Sequence, residues 1–214
     1  LEEKNVDLSK KEIGDIEYQE IAESVFGGFY DENAGMNKDN ADGERKFYRM
    51  TRELYMGSDR NLSYGGIYSG NLDYYDNIGK PHNYVDEYEY SHNKFYLSGN
   101  WNNDFESIIS NIDEPSSLDY LSFKFRSKSV NGVFSSKETA DVIVKIDGNF
   151  LSKDEAGIDV KFDENGKSYI TVDQPKMYSL LILPIYDERI ITLLPQKKNI
   201  SIFAFTFGSY EEGF

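Results

Sequence analysis

Between positions 82 and 92 lie the chain's two histidines and three of its carboxylates: His82, Asp86, Glu87, Glu89 and His92. Residues of these types support two chemistries. A pair of carboxyl groups flanking a bond, one of them kept protonated by its surroundings, hydrolyses glycosides, and imidazoles joined by a carboxylate hold zinc. Spacing alone completes neither, because the separation of the carboxyl groups and the convergence of the histidines are both set by the fold. The surrounding stretch is polar and rich in tyrosine, so it reads as solvated surface. No Gly-x-Ser-x-Gly elbow supports a nucleophilic serine. The chain has no Cys, which removes thiolate catalysis, disulfides and Cys-type zinc sites. No catalytic residue and no metal ligand is assigned on these grounds. A glycosidase-like or metal-assisted hydrolase using Asp86, Glu87 or His92 is the third of three readings.

A second acidic cluster, Asp39, Asp42 and Glu44 around Gly43, invites calcium. Placing Gly43 at the sixth position of an EF-hand loop puts Lys38 at the first and Arg49 at the twelfth, where carboxylates are needed. The stretch is therefore read as a solvated acidic loop. No cofactor is expected, and calcium is left open only as a structural ion of the kind related sandwiches carry.

Binding suits the composition better. Sugars present flat C–H faces that stack on aromatic rings, and hydroxyls that need planar polar partners. Tyr64, Tyr68, Tyr74 and Tyr75, with Asn71, Asp73 and Asp76 interleaved, supply both. These seven are the candidate ligand-binding residues, within a tyrosine-rich stretch that also suits a protein-docking surface without sugar affinity. Lys and Arg number 23 against 38 Asp and Glu, a formal net charge of −15, which works against a polyphosphate backbone and excludes nucleic acid as a partner.

The elements that position these residues read as β-rich. Ser9 and Glu12 form a capping box that opens a short helix with an apolar stripe of Ile13, Ile16, Ile21, Val25 and Phe26, ending at Gly27-Gly28. A polar linker follows, so residues 1–46 are read as helix and linker and 47–214 as the folded module. Beyond residue 90, short apolar-alternating stretches recur between turn signals: Leu121 to Arg126, Asp141 to Ile146, Gly157 to Phe162, Tyr169 to Val172, Met177 to Leu183, Ile190 to Leu194 and Ile200 to Phe207. Many strands without intervening helices predict an all-β sandwich. Trp101, the only tryptophan, shares a strand face with Phe95, Leu97 and Gly99 and is read as core wall. Tyr178, Phe203, Phe205 and Phe207 are expected to pack between the sheets. No window approaches the roughly 20 apolar residues of a membrane span, so this piece is not expected to be membrane-embedded. The chain opens on Leu1, so it is read as part of a longer protein.

Six segments occur in an order that resembles a known module. They are TRELYMG (51–57), SYGG (63–66), FYLSGNW (95–101), VKIDG (144–148), KMYSLL (176–181) and FAFTFG (203–208). Together they resemble the C-terminal module of DipZ-type thioredoxin-like proteins, redox proteins related to cytochrome c biogenesis factors. Arg52 stands where that pattern has Pro. The resemblance implies a jelly-roll β-sandwich similar to carbohydrate-binding modules, lying outside the cytoplasm, in the periplasm or at the cell surface. It implies an upstream thioredoxin-fold domain as neighbour, with any redox activity there. The leading reading is a non-catalytic module that holds its parent near a glycan or an envelope protein.

Overall fold

The computed structural model describes residues 50–63 and 68–208, with the backbone alone at 61–63. The helix read over 9–26, the linker, the Asp39 to Glu44 loop and Tyr64 lie outside the described residues. Among the described residues, two helical pieces, α1 (Ser58–Ser63) and a 3-10 helix η1 (Leu72–Asn77), accompany eleven strands joined in one sheet. In chain order the strands are β1 (Leu54–Tyr55), β2 (Pro81–Tyr84), β3 (Phe95–Asn103), β4 (Ile108–Ser110), β5 (Tyr120–Ser136), β6 (Ala140–Ile146), β7 (Asn149–Phe150), β8 (Lys161–Phe162), β9 (Ser168–Val172), β10 (Lys176–Pro195) and β11 (Ile200–Gly208).

Two long strands turn this sheet into two facing layers. β5 pairs through its first half with β3 and through its second half with β11, while β10 runs antiparallel beside both halves. β4 joins β3 to β11, so β3, β4, β11 and β5 close a ring. The register between β5 and β10 slips where Ile182 faces Ser129 and Asp187 faces Ser127, which lets both strands pass from one layer to the other. Met177 to Leu183 and Ile190 to Leu194, expected as separate strands, are therefore the two halves of β10. The first layer is β2, β3, the start of β5, the end of β10, β6, β9 and β8. The second is β1, β11, the end of β5 and the start of β10. The all-β sandwich expected from alternation is what the chain forms.

The hydrophobic faces meet in one core. Leu121, Phe123 and Phe125 are fully buried, as their period of two requires. Trp101 is fully buried as well, and its indole N–H donates to the Ser98 carbonyl at 2.8 Å. Gly99 turns the backbone to φ +82° just before it, where a Cβ would lie 1.9 Å from the Asp119 carboxylate. The turn after β6 has positive φ at both Asp147 (47°) and Gly148 (79°), the mirror-image hairpin that an Asp-Gly pair favours.

Two expectations fail for identifiable reasons. Ser122, which the alternation over Leu121 to Arg126 would set on a polar face, is fully buried because the segment 85–92 lies over it, and its hydroxyl meets Thr192 at 2.8 Å. Phe203 does not join Phe205 between the layers. A bulge between Ile202 and Ala204 inserts Phe203 as an extra residue and exchanges the faces beyond it. Ile200, Ile202 and Phe205 are fully buried and Phe207 packs against the core, whereas Phe203 is left half-buried on the outer side.

Candidate functional site

The tyrosine-rich segment turns out to be largely internal. Tyr74 is fully buried, edge-on to Phe95 at 5.4 Å and to Tyr75 at 5.0 Å, and its hydroxyl donates to the Met56 carbonyl. Burial, with Tyr84 and Tyr75 nearby, drives its pKa strongly upward. Tyr68 is buried under the Arg52 guanidinium, which sits 4.4 Å above its ring. Arg52 thus closes a core tyrosine from outside. Tyr75 is half-buried and Asp76 exposed.

Asn71 is buried rather than offered to a ligand. Preceding η1, its amide could cap the helix; instead its Nδ2 donates to the carbonyls of Val85 (3.0 Å) and Leu97 (2.9 Å), and its Oδ1 accepts from Leu97 N–H at 2.7 Å. One side chain therefore fixes three segments: the start of η1, the 85–92 segment and β3. The stacking and hydrogen-bonding roles expected of Tyr68, Tyr74 and Asn71 are taken up by the protein itself.

Asp86 is likewise internal. It is buried, accepts from the hydroxyls of Tyr90 (2.6 Å) and Tyr120 (3.1 Å), and receives the Tyr88 N–H at 2.8 Å. Tyr88 adopts φ 62° to make that turn. Burial first, and then the Asp86 carboxylate, push the Tyr90 phenol far above its ordinary value; burial is also the leading cause at Tyr120. Asp86 is an anchor that holds the 85–92 segment on the outer face of the first layer.

The two histidines go to different carboxylates. His82 Nε2 lies 2.7 Å from Asp73 Oδ2, tying β2 to η1. His92 lies 3.2 Å from Glu188, which also receives Arg126 at 2.5 Å and Lys124 at 3.5 Å. The Arg126 hydrogen bond holds the Glu188 carboxyl below the usual carboxylate range. Among the described residues no group of three His, Asp or Glu side chains is placed to hold a metal ion.

Beside these contacts, a cleft of about 360 Å³ between η1 and the 85–92 segment stays open to a ligand. Asp73, Glu87 and Glu89 bring carboxylates to it, Leu72 and Val85 form its apolar lips, and Tyr96 lies among its walls. Leu72 is 92% exposed and Val85 70%, while Tyr96 is buried, its hydroxyl accepting from Ser91 N–H at 2.9 Å. Among the described residues, no Lys, Arg or His lines the cleft. Of the seven candidates, Asn71 and Asp73 line the cleft. Sequence reasoning missed Leu72, Val85 and Tyr96; the signal for the first two is their adjacency to Asn71 and Asp86, the two residues that fix the cleft's sides, and Tyr96 has none.

Solved structures offer distant similarities. Over 48% of this chain and 27% of the other, with 11% identity and a TM-score of 0.36, the fold is similar to a family two carbohydrate esterase from Clostridium thermocellum determined with cellohexaose. A family two carbohydrate esterase from Cellvibrio japonicus gives 14% identity over 49% of this chain and 27% of its own, again with a TM-score of 0.36. This chain therefore spans about a quarter of either esterase. No curated protein matches it. The profile of the thioredoxin-like C-terminal domain matches residues 51–208, from before β1 to the end of β11, and the chain belongs to that family.

Proposed function

We propose that this chain is a non-catalytic recognition module, similar to carbohydrate-binding modules, from a DipZ-type thioredoxin-family redox protein that works outside the cytoplasm. It holds the upstream redox domain against a glycan and needs no cofactor to do so. The observation that carries this reading is the division of the polar side chains. Those that are buried together hold the chain, and those that remain open line a shallow cleft. Asp73, Glu87 and Glu89 accept hydrogen bonds from sugar hydroxyls there, while Leu72 and Val85 meet the C–H faces. Asp86, the one buried carboxylate of the 82–92 stretch, is engaged by Tyr90, Tyr120 and the Tyr88 N–H, an anchoring role that supports recognition over hydrolysis.

A second reading, docking of an envelope protein, is favoured by the exposure of Leu72 and Val85 beside the carboxylates. Retention of the full chain on a broad glycan array separates the two. The glycan reading expects retention that falls in the double variant Glu87→Gln/Glu89→Gln while the melting temperature stays unchanged. Absence of retention on every glycan, combined with capture of a defined envelope protein that the same variant loses, replaces it with the docking reading.

A further inference from the structure

A second pocket lies where residues 50–52 enter the fold, and its polar groups are of the opposite kind to those of the cleft. Met50, Thr51, His92, Asn93 and Arg126 line a space of about 120 Å³. Three hydrogen bonds fix its walls. The Arg126 N–H donates to Thr51 Oγ1 at 2.7 Å, the Thr51 N–H returns to the Arg126 carbonyl at 3.1 Å, and the Arg52 N–H donates to Asn93 Oδ1 at 3.1 Å. Thr51 is only 5% exposed, and Asn93 adopts φ 60° in its place on the wall.

Those bonds consume acceptors and leave donors. A backbone N–H is received only by the oxygen of an amide, so the Arg52 contact settles which way the Asn93 side chain points and leaves Nδ2 as its other end. Thr51 Oγ1 is engaged as an acceptor, which leaves its hydroxyl hydrogen to be donated. Arg126 gives Nε to Glu188. Among the described residues, neither Arg126 Nη group, nor Asn93 Nδ2, nor the Thr51 hydroxyl as a donor has a partner. Two guanidinium nitrogens, one hydroxyl and one amide match the roughly four lone-pair positions of a carboxylate, two of which a guanidinium meets at once. A sulfate or phosphate, with more oxygens, leaves some of them without a donor.

Charge agrees with this count. Against the Glu188 carboxylate stand Lys124 and Arg126, an excess of one positive charge before His92 is counted. Residues 45–52 read RKFYRMTR, four basic residues and no acidic one, in a chain of formal net charge −15. The run leading into the pocket thus offsets locally a field that otherwise repels anions.

We propose that this pocket binds a carboxylate group, carried by an acidic sugar or a small organic acid, with the Arg126 Nη groups on its two oxygens and Thr51 and Asn93 donating to the remaining lone pairs. The site does not rest on the glycan reading of the cleft. Ser91 lines the cleft and His92 the pocket, so one segment divides a site of carboxylates from a site of donors. Asp73, Glu87 and Glu89 repel a carboxylate from the first, which leaves the second to take it.

The test follows the amide chemical shifts of Thr51, Arg52, Asn93 and Arg126 while the full chain is titrated, at constant ionic strength in chloride, with glucuronate, acetate, sulfate or glucose. Glucuronate is expected to move these amides saturably and glucose to leave them in place. Acetate saturating as readily as glucuronate assigns the pocket to small organic acids, and glucuronate saturating at lower concentration assigns it to acidic sugars; either upholds the carboxylate site. Asn93→Asp keeps an oxygen for the Arg52 N–H but turns the donor end into a carboxylate, and should weaken binding by more than about tenfold. Arg126→Lys keeps the charge and its pairing with Glu188 but loses the fork, and should weaken it by about tenfold. Glu87→Gln/Glu89→Gln should not weaken it. An equal response to added sodium chloride, tighter binding of sulfate, or binding that survives both Asn93→Asp and Arg126→Lys overturns the site. Each of those results leaves the cleft to its own test on the glycan array.

Discussion

The segment between Tyr68 and Tyr96 and the outer face of the second layer both carry aromatic side chains, and they use them in opposite ways. In the first, most rings turn inward and hydroxyls find protein partners, Tyr74 the Met56 carbonyl and Tyr90 the Asp86 carboxylate, which Tyr120 of β5 also reaches; Tyr88 is the exposed exception. In the second, Phe105 and Phe203 remain partly open although the backbone beneath them is fixed. Aromatic density is thus a poor guide to a binding surface. A ring becomes available when the backbone that carries it is held by other contacts; a ring that is itself the contact is not.

The contrast breaks most severely at Tyr74. Tyr74→Ala removes a fully buried ring from the junction of η1, β2 and β3, and the expected loss is about 3 to 5 kcal/mol of unfolding free energy by urea denaturation. A loss below about 1 kcal/mol would mean that this segment is peripheral to the core.

Next is Asn71. Asn71→Ala leaves the Leu97 N–H and the Val85 and Leu97 carbonyls without their amide partner, for an expected loss of about 2 to 4 kcal/mol. The cleft should open with it, read as faster hydrogen exchange at Leu97 and through residues 85–92. An unchanged exchange pattern would refute the assignment of Asn71 as the pin between these segments.

How much of this was legible in sequence follows from the same contrast. Strands with a regular period of two were readable: Leu121, Phe123 and Phe125 are buried in their expected alternation. Phe203 was not, because a bulge leaves no mark in ISIFAFTF, and one extra residue exchanges inside for outside. Tyr68, Tyr74 and Asn71 were picked out as ligand contacts because tyrosines alternating with amides look alike whether a sugar or the rest of the chain satisfies them. Only long-range partners, such as Leu97 for Asn71 and Tyr120 for Asp86, decide which it is.

The buried phenols sharpen the comparison through pH. Tyr74, Tyr90 and Tyr120 have pKa values raised first by burial, and Tyr84 is pushed up to about 12 for the same leading reason. A group raised in the folded state stabilises it fully below the unfolded value, here about 10, and that contribution is lost as pH climbs from there through the raised values. The melting temperature should fall steeply above about pH 10, with phenolate absorbance from these residues appearing only as circular dichroism reports unfolding. Phenols titrating near their ordinary value in an intact fold would contradict the closed packing of the segment. The outer face of the second layer contributes nothing to this alkaline loss through Phe105 and Phe203, which do not ionise.

The smallest expected effect on stability is at Phe105. Its ring is largely exposed, and the turn beneath it is held by backbone hydrogen bonds from Ser58 and Asp59 that a side-chain truncation leaves in place. Phe105→Ala should therefore change the unfolding free energy by less than about 0.5 kcal/mol, an order of magnitude below Tyr74→Ala, although both delete one aromatic ring. The residues removed are similar in size, and they differ in burial and in whether the ring or the backbone holds the segment. If Phe105→Ala destabilises the chain as Tyr74→Ala does, the second-layer ring is a structural wedge, and an open aromatic wall on that face loses its physical basis.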